Sequence, residues 1–288
     1  MMRSPGRDER GVALLFVLWV VALLAILAAS FVHETGTQAR IARNEYDRAR
    51  ARALADSGVS LAVLDLLSGP AARLPLDGSP RDVDLDGGTI RLRLQDEAGK
   101  IDLNDAPLDL VANLLRQMAD EDEGTDFDAA LADWKRRRLA RWRQPDGAPA
   151  NVARGPFLAI EDLREVAGVT QALYERVSPF VTVWSRSSRI DPFSAPRAVL
   201  LSLPGADMRA VDAYLAARGG AGSAVGLPGL AGYFSRENAR QCITIAAEAR
   251  ASEALFVRQA TISLVVAGSQ RFRFVAWGEG GAPAISDR

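Results

Sequence analysis

Side chains that could carry out catalysis are scarce in this sequence. It has one histidine, His33, and one cysteine, Cys242. A single histidine argues against histidine-centred acid–base catalysis and against a multi-histidine metal site, and a lone cysteine rules out an internal disulfide framework. The stretch GVSLA at 58–62 lacks the second glycine of a nucleophile elbow, and GGAGSAVGLPG at 219–229 has no Lys-Ser/Thr partner for phosphate. We therefore do not expect an enzyme.

Carboxylates are concentrated in ADEDEG at 119–124, with Asp126 and Asp128 beyond. Oxygen ligands of this kind suit calcium, although the spacing does not match an EF-hand loop and a solvated acidic loop is the alternative. Together with one acid further along, the candidate ligands are Asp120, Glu121, Asp122, Glu123, Asp126 and Asp133.

A basic segment, KRRRLARWRQPDGAP, follows at 135–149. Arginines beside Trp134 and Trp142 could make cation–π contacts with a partner or with the acidic stretch itself. A solvated basic helix is the alternative. The formal net charge of the whole chain is −1, so there is no bulk electrostatic attraction to nucleic acid or to anionic lipid.

The element that dominates the N-terminus is an uncharged apolar run, VALLFVLWVVALLAILAASFV, at 12–32. As a helix it reaches about 30 Å, the hydrocarbon thickness of a bilayer, so it predicts a transmembrane segment. Arg3, Arg7 and Arg10 precede it, which places the N-terminus in the cytoplasm and the rest of the chain outside it. A cleaved signal peptide is the alternative, since AILAAS imitates its cleavage site, but a signal peptide has a shorter apolar core.

The helical pattern continues beyond the membrane segment. Small or apolar residues recur there in steps of three and four, at Ala39, Ala42, Tyr46, Ala49, Ala53, Ser57, Ser60, Leu64 and Leu67. We therefore predict a single long helix, half of it in lipid and half amphipathic. Gly36 and Gly58 would allow bends within it.

The junction Arg10-Gly11-Val12 is a short charged leader that ends in glycine directly before the apolar helix. It resembles the class III leader of type IV pilins and pseudopilins. The resemblance implies cleavage by a prepilin peptidase between Gly11 and Val12, with Val12 as the N-methylated mature terminus. An uncleaved single-pass anchor is the alternative. The fifth mature position, usually glutamate in such subunits, is Phe16 here.

Within this superfamily the chain resembles the K class of minor pseudopilins of the type II secretion system. The stretches that carry this resemblance are LQDEAGKIDLNDAP at 94–107, ALADW at 130–134, FLAIEDLREVAGVT at 157–170, SPFVTV at 178–183 and IDPFSAPRAVLLSLPG at 190–205. Members of that family hold calcium in a helical domain. This chain keeps Asp133-Trp134 but has Lys135, Arg136 and Pro149 where the family has acids, which argues against that site.

The external part predicts an α+β fold. TIRLRLQD at 89–96 alternates with Ile90, Leu92 and Leu94 on one face, and CITIAAEAR at 242–250, ATISLVVAG at 260–268 and RFRFVAWG at 271–278 indicate three more strands. In the last strand the alternation puts Phe272, Phe274 and Ala276 on one face, and AGSQR supplies the hairpin turn before it. The preceding GPAARLPLDGSPRDVDLDGG at 69–88 is predicted to be loop and turns.

We therefore expect a long N-terminal helix packed on a small antiparallel pilin-like sheet, with a large all-helical domain inserted between strands. The expected parts are a leader at 1–11, a transmembrane segment at 12–32, helix and first strands at 33–100, the insertion at 101–238 and the last strands at 239–288.

Within the insertion the phrase IDLNDAP at 101–107 returns as IDPFSAP at 190–196. In each copy a capping side chain, Asp105 or Ser194, and a proline precede apolar residues at helical spacing, so both predict helix starts. LREVAGVTQALYERV at 163–177 and the segment after the second phrase resemble the helix-hairpin-helix, whose glycine turn binds phosphate in DNA-binding examples. A compact packing motif is the alternative, because Glu161, Asp162, Glu165 and Asp207 crowd these turns with negative charge.

The resemblance implies a minor pseudopilin in the inner membrane with a periplasmic C-terminal domain, at the tip of the pseudopilus that exports folded proteins. Its expected partners are the other minor pseudopilins, the major pseudopilin, prepilin peptidase and the membrane, with no nucleic acid. A membrane-anchored helix-hairpin-helix protein for DNA uptake is the rival interpretation.

Overall fold

The computed structural model describes residues 9–68, 74–85, 88–120, 125–142, 155–218, 226–235, 241–264 and 271–280. In the first helix, the side chains of residues 9–12, 28–37 and 39 lie outside this description.

The chain begins with one helix, α1, which spans Glu9–Leu67 and has 59 residues. At 1.5 Å per residue it is about 88 Å long. This confirms the predicted long helix. Glycine at position 58 lets the helix approach the sheet closely, because a Cβ there would lie 2.8 Å from Ile90 Cγ2.

The face of α1 that packs on the sheet differs from the predicted stripe. Its buried side chains are Ala51, Leu54, Ala55, Val59, Ala62, Val63 and Leu66. The predicted stripe lies on the opposite side at 3.6 residues per turn, and there Tyr46 is 67% and Leu64 is 65% exposed. Both sides of the helix carry small and apolar residues, so spacing alone did not show which side the sheet would cover.

The sheet has five antiparallel strands in the order β1 (Asp77–Leu85), β2 (Gly88–Asp96), β5 (Cys242–Ala251), β6 (Ala254–Ser263) and β7 (Arg273–Glu279). Together with α1 and the further helices it confirms the predicted α+β fold. Ile90, Leu92 and Leu94 are buried, as the alternation predicts.

Two strands differ from the prediction. β1 occupies residues predicted to be loop, and it tolerates Pro80 because it is an edge strand with a bulge between Asp77 and Pro80. β6 begins at Ala254, six residues before the predicted start at Ala260. The predicted AGSQR turn falls mostly outside the described residues.

The described residues between β2 and β5 form a second unit. Its helices are α2 (Leu108–Met118), α3 (Phe127–Trp142), α4 (Gln171–Val177), α5 (Arg197–Leu201) and α6 (Met208–Arg218). It is not all-helical as predicted, because β3 (Ile101–Asp102) and β4 (Val181–Thr182) pair in parallel. This unit and the α1–sheet unit each have a separate hydrophobic core.

Candidate functional site

The predicted processing site lies at the start of α1. Gly11 and Val12 belong to the helix, but the Val12 side chain and residues 1–8 lie outside the described part, so cleavage and N-methylation remain predictions. Phe16 is 66% exposed, and most of the large apolar side chains between Leu14 and Leu27 are exposed with it. Apolar surface of this kind is stabilised by contact with lipid or with other apolar helices.

Part of the predicted transmembrane segment, residues 28–32, has side chains outside the description. Among the residues that are described, no helix carries a stretch long and apolar enough to cross a bilayer.

The predicted calcium ligands that the structure describes have other partners. Asp120 pairs with Arg176 at 3.0 Å, and Asp133 pairs with Arg137 at 2.9 Å. Asp126 Oδ1 accepts a hydrogen bond from the backbone N–H of Ala129, at the start of α3.

Among the described residues, no three histidine, cysteine or acidic side chains form a group that could hold a metal ion. Glu121, Asp122 and Glu123 lie outside the described residues. The described carboxylates do not form such a group among themselves, and calcium binding by the acidic stretch stays a prediction.

The predicted cation–π contacts form within the chain, around Arg138. Its guanidinium lies 5.3 Å from the ring centroid of Trp134 and 5.6 Å from that of Trp142. Its anionic partners are Asp162 at 3.1 Å and Glu165 at 3.0 Å. The acidic stretch at 119–124, which the sequence offered as a partner, does not contribute to this cluster in the part of the chain that the structure describes.

The cluster joins α3 to the 3₁₀ helix Ile160–Glu165. Trp134 Nε1 donates to Glu165 at 3.2 Å, and the Trp134 ring stacks on Phe157 with a centroid distance of 4.1 Å. The arginine side chain is mostly buried. Removing one partner of a buried ion pair is costly, because the other charge is left without its partner.

The two helix-hairpin-helix-like segments both turn at a glycine with positive φ, Gly168 at +82° and Gly205 at +80°. After each turn a side chain caps the next helix: Thr170 Oγ1 accepts from Leu173 N, and Asp207 Oδ2 accepts from Ala210 N. The Asp207 carboxylate therefore takes the N-terminal amide that a phosphate would need. This geometry favours the packing interpretation of these turns.

In the repeated phrase the aspartate accepts the hydrogen bonds that organise the turn, a role that the sequence interpretation missed. Asp102 is buried, and its carboxylate accepts from the backbone N–H groups of Asn104, Asp105 and Arg186 and from the Ser185 hydroxyl. Burial raises the pKa of Asp102 in spite of these hydrogen bonds. The proposed caps were wrong: α2 begins after Pro107 with no side-chain cap.

The second copy repeats the arrangement. The buried Asp191 accepts from Phe193 N and from the Ser194 hydroxyl, and α5 begins after Pro196, again with no side-chain cap. An aspartate that bonds its own backbone two residues on is an Asx-turn. The residue pattern Asp-x-x-x-Ala-Pro could have revealed it.

A wide cleft of about 1110 Å³ separates the start of β1 from the inserted unit, and Arg93, Arg176, Arg197 and Arg218 line it. Three of these four guanidinium groups pair with carboxylates of the same chain: Arg176 with Asp120, Arg197 with Asp212 and Arg218 with Asp77. Their charge is therefore largely neutralised within the molecule.

Comparison with known proteins adds two findings. Residues 10–60 match the family described as PilX N-terminal. Over 86% of this chain and 100% of the other, the fold is similar to a chain of the crystal structure of the GspK-GspI-GspJ complex from the enterotoxigenic Escherichia coli type 2 secretion system, with 18% identity and a TM-score of 0.44. No curated protein matches the chain. The N-terminal helix is thus similar to that of a PilX-type protein.

Proposed function

We propose that this protein is a minor pseudopilin that works at the tip of a type II secretion pseudopilus. The observation that carries the proposal is α1, an unbroken helix from Glu9 to Leu67. Its first part presents exposed apolar side chains, and its second part packs on an antiparallel sheet. The match of residues 10–60 to the PilX N-terminal family supports this interpretation.

In this proposal residues 12–32 hold the subunit in the inner membrane, with the leader in the cytoplasm and the globular units in the periplasm. Prepilin peptidase cuts between Gly11 and Val12, and Val12 is then N-methylated. Phe16 has no carboxylate to pair with a neighbour's terminal amine. Because a lone charge in hydrocarbon is costly, its absence fits a subunit with no neighbour at that position.

The tip position is inferred from the steric bulk of the inserted unit. α1 covers one face of the sheet, while the inserted unit reaches the other face, where Thr182 and Trp184 border a cleft shared with Thr244 and Thr261. A unit of this size projecting beyond a pilin-type sheet would collide with subunits stacked above it. At the end of a filament it has room. The protein then acts by binding other minor pseudopilins and the major pseudopilin, without catalysis and without calcium at the described carboxylates.

The mature N-terminus tests the proposal directly. Mass spectrometry of the membrane-extracted protein, from cells with active prepilin peptidase, should find N-methylated Val12 as the first residue. The Gly11→Leu variant should keep its leader, because glycine before the cut is the feature that the leader shares with prepilins. An intact Met1 in the unchanged chain would overturn the proposal.

The filament position has its own test. Cross-links from the inserted unit to shaft subunits should appear on one axial side only. Cross-links on both sides would exclude the tip.

A further inference from the structure

The face of the sheet that turns away from α1 is mostly polar where the inserted unit stands over it. Along β2, Arg93 and Gln95 alternate with Leu92 and Leu94, which belong to the core under α1. The same polar face continues on the next two strands with Thr244, Gln259 and Thr261. Units of one chain that meet through a polar surface, and not through a large hydrophobic one, generally move relative to each other.

Two clefts separate the inserted unit from this face. The first, of about 1110 Å³, lies over β1 and β2 and includes Arg93 in its lining. The second, of about 570 Å³, lies over β5, β6 and β7, where Thr244 and Ala276 line it. Glu175 and Pro179 of the inserted unit line both clefts, so the two meet at the end of α4.

Close contacts between the units are found at the end of β2. Gln95 Nε2 donates to the Ser194 carbonyl at 2.9 Å, and Asp191 N donates to the Ala98 carbonyl at 2.7 Å. A Cβ at Gly99 would lie 2.5 Å from the Ser194 carbonyl carbon, so the two backbones touch here. We call this group the pivot. Because β2 lies between β1 and β5 in the sheet, the pivot has the first cleft on one side and the second on the other.

An ion pair joins the two units beside the pivot, on the side of the first cleft. Arg218, at the end of α6, donates through Nη1 to the carbonyls of Pro192 and Ala195 at 3.1 and 2.7 Å. These bonds fix the guanidinium to the inserted unit. Its Nη2 lies 3.5 Å from Oδ2 of Asp77, which begins β1. We call the pair of Arg218 and Asp77 the latch.

We propose that the inserted unit tilts about the pivot and that the latch favours the orientation seen in this structure. Because the clefts lie on opposite sides of the pivot, a tilt that widens the first cleft narrows the second. Such a hinge movement changes the direction in which the inserted unit points from the sheet, and therefore from α1. The inference concerns the chain by itself and does not depend on the proposed function.

The latch is suited to bias this movement without preventing it. Its side chains are 13% exposed for Arg218 and 26% exposed for Asp77, and the distance of 3.5 Å is long for an ion pair. Pairs that retain contact with water shift an equilibrium only modestly, by about two- to fivefold. A competing charge or a change of ionic strength is therefore enough to release it.

Distances between pairs of spin labels in the full-length, detergent-solubilised protein test the tilt. One pair, at Arg81 and Gln117, spans the first cleft, and the other, at Ala276 and Glu161, spans the second. All four positions are exposed. Cys242→Ser provides the background, so that labels attach only to the introduced cysteines. Pulsed electron paramagnetic resonance then gives the distribution of both distances.

Two substitutions at Asp77 release the latch. Asp77→Asn removes the charge but keeps an oxygen for the hydrogen bond from Ser79 N. We expect the ratio of tilted to untilted molecules to rise about two- to fivefold, with the distance across the first cleft lengthening and that across the second shortening. Asp77→Lys should raise the ratio further, because it places a positive charge beside Arg218 and in the cleft that Arg93 lines.

The matched control is Asp82→Asn. It removes the same charge from an ion pair with Arg91 at 2.8 Å, but both partners belong to the sheet, so both distances should stay as in the unchanged chain. Unchanged distances in Asp77→Lys would show a fixed junction and overturn the proposal. Changes of the same sign across both clefts would exclude the pivot, and equal changes in Asp82→Asn would exclude the latch.

Ionic strength gives an independent measure. Salt screens a pair that is partly exposed, so the tilted fraction of the unchanged chain should rise as the ionic strength is raised. Asp77→Asn has already lost the attraction and should respond much less. An equal response of the two chains would show that the ion pair of Arg218 and Asp77 does not control the orientation.

Discussion

At the scale of single residues, the two copies of the repeated phrase share a buried aspartate. They differ in the number and position of the hydrogen-bond donors that contact its carboxylate. Asp102 accepts four hydrogen bonds, two at each oxygen, and its second oxygen reaches Ser185 and Arg186, far along the chain. Asp191 accepts one bond from Phe193 N and one from the adjacent Ser194 hydroxyl. The first copy therefore ties the strand β3 to a distant segment, whereas the second organises only its own turn.

Asparagine at the two positions should have unequal effects. In Asp102→Asn the new amide N–H₂ faces the Arg186 N–H, so a donor loses its acceptor, and we expect a loss of about 1–3 kcal/mol. In Asp191→Asn the amide can donate to Ser194 Oγ, and the loss should stay below about 1 kcal/mol. Urea unfolding of the detergent-solubilised protein measures both. Equal losses would contradict the assignment of roles.

The pH dependence of the Asp102→Asn effect follows from the raised pKa of Asp102. A folded-state pKa above the unfolded one means that the native protein binds the proton first. The unchanged chain therefore gains stability as the pH falls through that folded pKa towards the ordinary carboxyl value. The variant lacks this gain, so the stability difference between the two should widen as the pH falls from 7. Unfolding midpoints at several pH values test it.

Arg138 should contribute more than its neighbour on α3. Arg138→Met removes the cation from the mostly buried Asp162 and from the more exposed Glu165, and we expect a loss of about 2–4 kcal/mol, chiefly from the unpaired Asp162. Arg137→Met removes only an exposed pair with Asp133 and should cost less than about 1 kcal/mol. Thermal unfolding of the two variants compares them. A similar shift in both would contradict the greater contribution assigned to the buried pair of Arg138.

At the scale of elements, strands with a regular alternation of apolar and polar residues were predictable from the sequence. Strands that contain a bulge or a proline were not. β2 follows strict alternation from Ile90 to Leu94, and its buried face was predicted correctly. β1 was missed because Gly78 and Pro80 usually end strands, and only pairing with β2 makes the segment extended. The bulge opposite Thr261 cannot be read from the alternation, yet it decides which face Trp277 takes.

The candidate site shows the same division. The contacts of Arg138 with Trp134 and Trp142 join side chains that are close along α3, so the sequence indicated them, whereas the junction Gly11-Val12 stays a prediction. The partners of Arg138 did not follow from the sequence, because Asp162 and Glu165 reach it only after the chain folds back. The stripe of small and apolar residues on α1 was predicted from its spacing, but the side of the helix that the sheet covers was not.

The contact of α1 with the sheet leads to a prediction about Gly58. Gly58→Val would place side-chain atoms against Ile90, Leu92 and Ala247, each of which has an atom within 3.2 Å of where a Cβ at this position would lie. Overpacking of this kind costs about 1–3 kcal/mol. Ala53→Val, on the exposed side of the same helix, should change stability by about 0.5 kcal/mol or less. Denaturant midpoints distinguish the two, and an unchanged midpoint for Gly58→Val would contradict the close contact.

At the scale of the whole molecule, two hydrophobic cores are joined by a narrow connection. No buried residue in the described part of the chain is shared between the core under α1 and the core of the inserted unit. The insertion leaves from Asp96 and returns beside it, since Asp96 lies opposite Ile243 in the antiparallel ladder. Contacts such as Gln95 Nε2 donating to the Ser194 carbonyl, and Asp191 N donating to the Ala98 carbonyl, hold the inserted unit near the sheet.

This architecture predicts that the inserted unit can be removed. Replacing residues 98–241 with Asn-Gly would join Glu97 to Cys242 by a two-residue hairpin turn, which is the connection that neighbouring antiparallel strands accept most readily. We expect the shortened chain to keep α1 and the sheet, because their core is intact, and to unfold cooperatively with a lower midpoint. Circular dichroism and thermal unfolding measure this, and a shortened chain without a cooperative transition would show that the two units fold only together.

The shortened chain also tests two properties separately, namely whether the subunit assembles with its neighbours and whether the inserted unit confines it to the tip. Because α1 and the sheet remain, the shortened chain should still cross-link to pilin-like neighbours. Without the bulky unit, however, the steric barrier to further stacking is gone. The shortened subunit should then enter the shaft and cross-link to pilin-like neighbours on both axial sides, whereas the full-length chain should do so on one side only. Exclusion of the shortened chain from the shaft would mean that features of α1 such as Phe16, and not the insertion, set the position.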